Sequence, residues 1–266
     1  MQGPLIELSL WQISLAALLV VLSAAISLAM RLGLHRRLLW AAVRCVVQLT
    51  LLGLVLRWVF APGRQWYVVV SLGLAMTLVA GVVAVGRNER RYAGMFLDSV
   101  LSIWACAWLV VAVALVVVVR PEPWYLPRYA IPLLGMILHS TLNGVSLGLD
   151  RFTREVSERR PEIETLLALG ATRAEAAREP VQQAIRTGMI PMINAMMVMG
   201  IVSMPGMMTG QLLAGVDPML AIGYQIIIVF FLAAASSLGT FGAVLLGYRR
   251  LFTSDHQYRS EQIKTR

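Results

Sequence analysis

Seven stretches of this 266-residue chain are long and apolar enough to be membrane spans, near 8–30, 38–60, 66–85, 99–119, 130–149, 187–210 and 220–247. A helix needs about 20 predominantly apolar residues to cross the hydrocarbon core. In hydrocarbon every backbone amide must be satisfied inside its own segment or in a closed sheet, so these runs are expected to be helices. The expected fold is all-α: a polytopic membrane helical bundle of about seven transmembrane helices. Composition agrees, with 58% hydrophobic and only 14% charged residues, against about 25% charged in a soluble domain.

The formal charge of +9 invites a nucleic-acid reading, but its distribution argues against one. With the N-terminus outside and the C-terminus inside, segments 31–37, 86–98, 150–186 and 248–266 face the cytoplasm and hold 18 of the Lys and Arg residues. The outer segments hold four: Arg57, Arg64, Arg120 and Arg128. That asymmetry is the positive-inside rule, so the basicity is topological. The first span follows MQGPLIELS, with Glu7 before it and Arg31, Arg36 and Arg37 after it. This is the reverse of a signal peptide's order, and the span is expected to be retained. Trp58, Phe60, Trp66 and Tyr67 flank one outer loop, and Trp124, Tyr125 and Tyr129 another, where amphipathic rings collect at the interface. Cys45 and Cys106 fall within spans without a CxxC and are expected to be small buried hydrophobes.

Residues 1–252 are expected to form a single transmembrane domain, followed by a polar, loosely ordered cytoplasmic tail at 253–266. The one sizeable polar region is the inner loop 150–186, with seven basic and seven acidic residues. Ile163, Leu166, Leu167 and Leu169 give a short apolar face at helical spacing. Gly170 should break that helix. Thr172, with Glu175 three residues on, has the capping-box pattern for the next one. The loop is therefore expected to be two short amphipathic helices around Gly170.

No GxxxxGK[ST] or HExxH occurs. If ATP is used, another chain must supply its site. The run from Glu164 through Leu169, Gly170 and Ala171 resembles the cytoplasmic loop of ABC-transporter permeases, in which a Glu stands six residues before a Gly. Importer-type permeases place a Pro about thirteen residues after that Gly, whereas here Pro180 comes ten after. A longer likeness follows. IPMINAMMVMG and MPGMMTGQLLAGVDP, with IPLLGMIL at 131–138 and LNGVSLGLDRF at 142–152, closely resemble the FetB-type permeases of iron-export ABC systems. The resemblance implies a bacterial inner-membrane permease subunit that is not itself an enzyme and binds no cofactor. It implies a permease homodimer with an ABC ATP-binding subunit carrying ATP and Mg, and a transported cation, iron, moved outward. It also implies that Glu164, Leu169, Gly170 and Ala171 couple ATP hydrolysis to motion. The family's plant branch is tied to aluminium tolerance and to nucleotide-sugar transport, which makes a nucleotide sugar the alternative cargo.

The sixth run carries Pro205 beside Gly206. A break there would free carbonyls near Ile201 and Val202, and non-helical backbone at membrane depth is tolerated only against protein or a water-filled cavity. Gly206 and Gly210 form a GxxxG, which lets another helix approach. Pro205, Gly206, Met207, Met208, Gly210 and Gln211 are therefore expected to line a translocation path. So are the intramembrane polar groups His139, Asn143 and Asn194, because such groups in a span face the bundle interior or a pathway. His139 is the one imidazole placed for a metal. Met189, Met192, Met196 and Met199 repeat at helical spacing, and Met204 joins the break. Thioethers either hold soft ions or fill a core that repacks between states. A lone secondary transporter would show paired broken helices in two halves, but only one break is legible here. A non-transporting scaffold or sensor would show no polar residues along a common interior face.

Overall fold

The computed structural model describes residues 9–60 and 66–265. They divide into two compact units. One is a helical hairpin of α1 (Leu10–Ala29) and α2 (His35–Val59). The second, residues 213–215 excepted, runs from α3 (Trp66–Gly86) through β1 (Arg90–Tyr92), α4 (Met95–Val113), α5 (Pro127–Glu158), α6 (Arg160–Ala168), α7 (Arg173–Val198), α8 (Gly206–Leu213) and α9 (Pro218–Leu251) to β2 (Ile263–Thr265). Among the described residues six helices, α1 to α5 and α9, are long and apolar enough to cross a membrane. The seventh expected span is not one helix: it is the end of α7, a turn, and α8.

Within the first unit, Ser9 caps α1. Its hydroxyl accepts from the Gln12 N–H while the Gln12 side chain accepts from the Ser9 N–H, a capping box. Arg31 and Gly33, with φ of 53° and 70°, turn the chain into α2. Arg44 and Gln48 both lie exposed on α2.

In the second unit α5 is the central helix, packed by α3, α4, α7 and α9. Lipid tails are as apolar as leucine, so burial alone does not drive helices together; close van der Waals packing does. Small residues permit it here. A Cβ on Gly188 of α7 would stand 2.7 Å from the Gly144 carbonyl oxygen of α5. A Cβ on Gly148 would stand 2.8 Å from Thr240 Cγ2 of α9. The Thr141 and Thr240 hydroxyls donate to their own helix carbonyls four residues back, so the seam leaves neither unsatisfied.

One end of this unit carries most of the charge. There the buried Asp98 carboxylate accepts from Arg250 Nε at 2.7 Å and from the Tyr92 hydroxyl at 3.0 Å. Burial, then the Asp98 charge, push the Tyr92 phenol well above its usual range. Gly94, at φ 89°, lets the chain pass the Arg250 guanidinium, which a Cβ would meet at 2.5 Å.

Two expectations are corrected at this end. The tail is ordered, not loose. β2 pairs antiparallel with β1, Tyr258 stacks on Phe252 at 5.0 Å, and its hydroxyl donates to the Val156 carbonyl at 2.9 Å. The inner loop is also shorter than its polarity suggested. Residues 150–158 continue α5, and the helix capped by Thr172 runs unbroken to Val198. Polar residues carry both helices out of the apolar region, so hydropathy ends before the helix does.

Candidate functional sites at the two ends of the bundle

At the basic end, α6 and α7 meet in an elbow. The Gly170 N–H bonds to the Leu167 carbonyl at 3.1 Å and the Ala171 N–H to the Leu166 carbonyl at 3.0 Å, a Schellman closure with Gly170 at φ 92°. Thr172 then caps α7: its hydroxyl accepts from the Glu175 N–H, and the Glu175 carboxylate accepts from the Thr172 N–H at 2.7 Å. That backbone bond holds the Glu175 carboxyl below its ordinary range. His256 Nδ1 of the tail accepts from the Arg173 N–H at 2.9 Å, satisfying a further free donor of the first turn. Arg159 bridges Glu162 at 2.9 Å and Glu179 at 2.7 Å, pinning α6 to α7.

The elbow therefore brings Glu164, Leu169, Gly170 and Ala171 together on a rigid knuckle. Leu169 is 80% exposed. Glu164 pairs with Arg160 at 2.7 Å, both about half exposed, and such surface pairs contribute roughly 0–1 kcal/mol. Beside the knuckle lies a groove of about 360 Å³ between α6 and α7, lined by Ile163, Leu166, Ala176 and Pro180 with Arg159 and Glu179.

The break in the sixth run lies earlier than Pro205. α7 ends at Val198, Met199 is extended, and Gly200 turns at φ 83°. The Val198 carbonyl takes the N–H groups of Ile201, Val202 and Ser203, and the Gly200 N–H bonds to the Ser203 carbonyl at 2.9 Å. Pro205 thus lies between two helices and does not kink one. Gly200 stops the helix, and Pro205 stands just before α8. Ile201 and Val202 are more than 80% exposed. Gly206 and Gly210 face open space in this chain, with nothing within 4 Å of a Cβ on either.

Met207 and Gln211 line a cavity of about 330 Å³ at the end opposite the elbow, where α8 meets the starts of α5 and α9. Arg128, Met136 and Tyr224 also line it. Met208 is half-buried on the same helix. The Gln211 Oε1 is buried without a hydrogen-bond partner.

His139 and Asn143 form a separate group. Arg87, just past α3, donates to Asn143 Oδ1 at 2.7 Å, and Asn143 Nδ2 lies 3.0 Å from His139 Nε2. Arg87 can only donate, so it fixes the amide with its NH₂ towards the imidazole. His139 Nε2 is then placed as the acceptor. In that arrangement Nε2 is engaged by Asn143. No cluster of three His, Cys, Asp or Glu side chains suited to a metal exists among the described residues. Asn194 lies exposed on α7 and makes no hydrogen bond to this group. Sequence reasoning missed Arg87, whose only signal was its place at a helix end. Nor are the methionines gathered. Met192 accepts a weak bond from the Ser140 hydroxyl at 3.7 Å, whereas Met197 and Met204 are about 70% exposed. Cys45 is exposed rather than buried, and Cys106 is half-buried; both are free.

A bundle of long apolar helices, one central and sealed by small residues, with a broken helix at one end and an exposed elbow at the other, defines a polytopic membrane protein. The chain belongs to the UPF0014 family, whose sequence model, described as "Uncharacterised protein family (UPF0014)", matches residues 10–252. It is similar to the UPF0014 membrane protein slr1647 of Synechocystis, 40% identical over 97% of this chain and 99% of that one. It is also similar to the probable iron export permease protein FetB of Escherichia coli, 32% identical over 95% of each chain. A third relative is the Protein ALUMINUM SENSITIVE 3 of Arabidopsis thaliana, 28% identical over 92% of this chain and 88% of that one. No solved structure matches.

Proposed function

We propose that this chain is the membrane subunit of an ABC exporter that moves a metal cation, iron foremost, out of the cytoplasm of a bacterium. A separate subunit binds Mg and ATP, and two copies of the permease pair in the inner membrane with the basic end inside. The observation that carries the reading is the elbow. An apolar side chain, Leu169, stands 80% exposed on a polar surface, on a glycine-closed turn whose α7 runs without interruption to the broken segment. A push on the knuckle is thereby delivered to Gly200 and α8 along one continuous helix, which carries Pro180 and Pro191 in its interior. The likeness to the iron export permease supports the cargo, and the name of the Arabidopsis relative keeps aluminium as a second candidate metal.

The path follows α5, α7 and α8, with Met207, Met208 and Gln211 at its outer end and Asn194, Asn143 and His139 along it. His139 and Arg87 are exposed on the single chain and Asn143 is half-buried. Polar groups at that depth are costly against lipid, which favours a second copy covering them. His139 would touch a passing metal only after Asn143 releases its Nε2.

The test begins with gentle purification from native membranes, identification of what accompanies the protein, and vanadate-sensitive ATP hydrolysis with and without iron. A stoichiometric ATP-binding subunit with metal-stimulated turnover is expected. Burying a leucine contributes about 1.5–3 kcal/mol, so Leu169→Asp should weaken subunit docking by about tenfold or more. Glu164→Arg should abolish the stimulated turnover with expression intact. A lone, ATP-inert protein would overturn the reading.

A further inference from the structure

We propose that the cavity opposite the elbow is a binding site for a phospholipid with an anionic, hydroxyl-bearing headgroup, of the phosphatidylglycerol kind. Three observations converge on it. Its walls are largely hydrocarbon, from Pro132, Leu133, Leu220, Ile228 and Phe231, which suits an acyl chain. Its volume of about 330 Å³ falls within the range of small-molecule sites. Its only formally charged lining residue is Arg128; no carboxylate, imidazole or thiol lines it. Among the described residues no carboxylate pairs with Arg128.

The position of Arg128 adds to this. It is the second residue of α5, next to Tyr129 and shortly after Trp124 and Tyr125. Such aromatic clusters mark the membrane–water interface, the level at which headgroup phosphates lie. A guanidinium there presents paired donors that match a phosphate. The third observation is Gln211, which lines the cavity with its Oε1 buried and unpartnered. A buried acceptor without a donor is costly; a turn of the Gln211 amide towards the cavity would let the glycerol hydroxyls of such a headgroup supply one. A bare metal cation would meet a guanidinium and no counter-charge, so the cavity does not suit it. The inference does not rest on the transport reading: a lipid seats here whether or not Met207 and Gln211 line a route.

The experiment is native mass spectrometry of the purified full chain titrated with phosphatidylglycerol or phosphatidylcholine of matched acyl chains. Glycerol 3-phosphate serves as a soluble competitor. Phosphatidylglycerol is expected to be retained about five- to tenfold more strongly. Arg128→Gln should remove that preference while leaving phosphatidylcholine retention unchanged, and glycerol 3-phosphate should not compete. Leu220→Trp, which fills the cavity, should reduce retention of both lipids at an unchanged size-exclusion profile. Equal retention of the two lipids, an Arg128→Gln variant that keeps the preference, or retention surviving Leu220→Trp would overturn the proposal. Competition by glycerol 3-phosphate would replace it with a soluble phosphate site. ATP hydrolysis is assayed on the same preparations, so loss of the lipid result and loss of the transport reading are separately visible.

Discussion

Gly188→Ala tests the seam that aligns α7 with α5 and α9. The added Cβ would stand 2.5 Å from Thr240 Cγ2 and 2.7 Å from the Gly144 carbonyl oxygen. Real Cβ contacts essentially never fall under 3.0 Å, so something must shift. The Thr240 methyl is held because the hydroxyl on the same carbon donates to the Ser236 carbonyl at 2.7 Å. The Gly144 oxygen belongs to the backbone of the central helix. Neither can move without parting two helices, and overpacking of this kind costs about 1–3 kcal/mol. Every 1.4 kcal/mol is a factor of ten, so the folded-to-unfolded ratio should fall about 5- to 150-fold relative to Gly223→Ala, which shares the helix-propensity gain. Reversible denaturation in mixed micelles, followed by circular dichroism, reads this directly. Gly223→Ala is the control: its Cβ meets nothing within 4 Å, and alanine favours a helix by about 1 kcal/mol. Adding Thr240→Ser to Gly188→Ala deletes the methyl but leaves the carbonyl contact, so it should restore only part of the loss. A Gly188→Ala protein as stable as Gly223→Ala would refute the close-packed seam.

Two further outcomes follow from the basic end. Gly170→Ala has open space around it but φ 92°, so its cost is the left-handed backbone, about 1–2 kcal/mol; it should be borne locally, as faster hydrogen exchange at Gly170 and Ala171 without loss of the bundle. Burial pushes the Tyr258 phenol from an ordinary 10.0 up to about 12. A raised folded-state value means the neutral form is favoured, so its contribution is complete below pH 10 and lost as pH rises through 12; tail protection from proteolysis should fall over that window, and Tyr258→Phe should flatten the fall.

Much of this molecule was written locally. The apolar runs at 66–85 and 220–247 became α3 and α9 almost residue for residue, because hydrocarbon leaves the backbone no alternative to a helix. The Thr172–Glu175 cap and the Gly170 turn were also legible, since both act within a few residues. The sixth run was harder. Pro205 drew attention as a helix breaker, yet Gly200 ended the helix five residues earlier, and no local signal ranked one above the other.

What the sequence by itself determined is the class, the polar elbow and the charge asymmetry, each a property of short windows of chain. Only the tertiary structure decided which glycines matter: Gly144 and Gly188 are pressed against neighbours, while Gly206 and Gly210 in their GxxxG touch none. It alone joined Arg87 to Asn143 and His139, separated them from Gln211, and laid a polar tail across the elbow. The reason is physical. A side chain's partners are set by how distant helices meet in space, and hydropathy along one segment carries no information about the face of another.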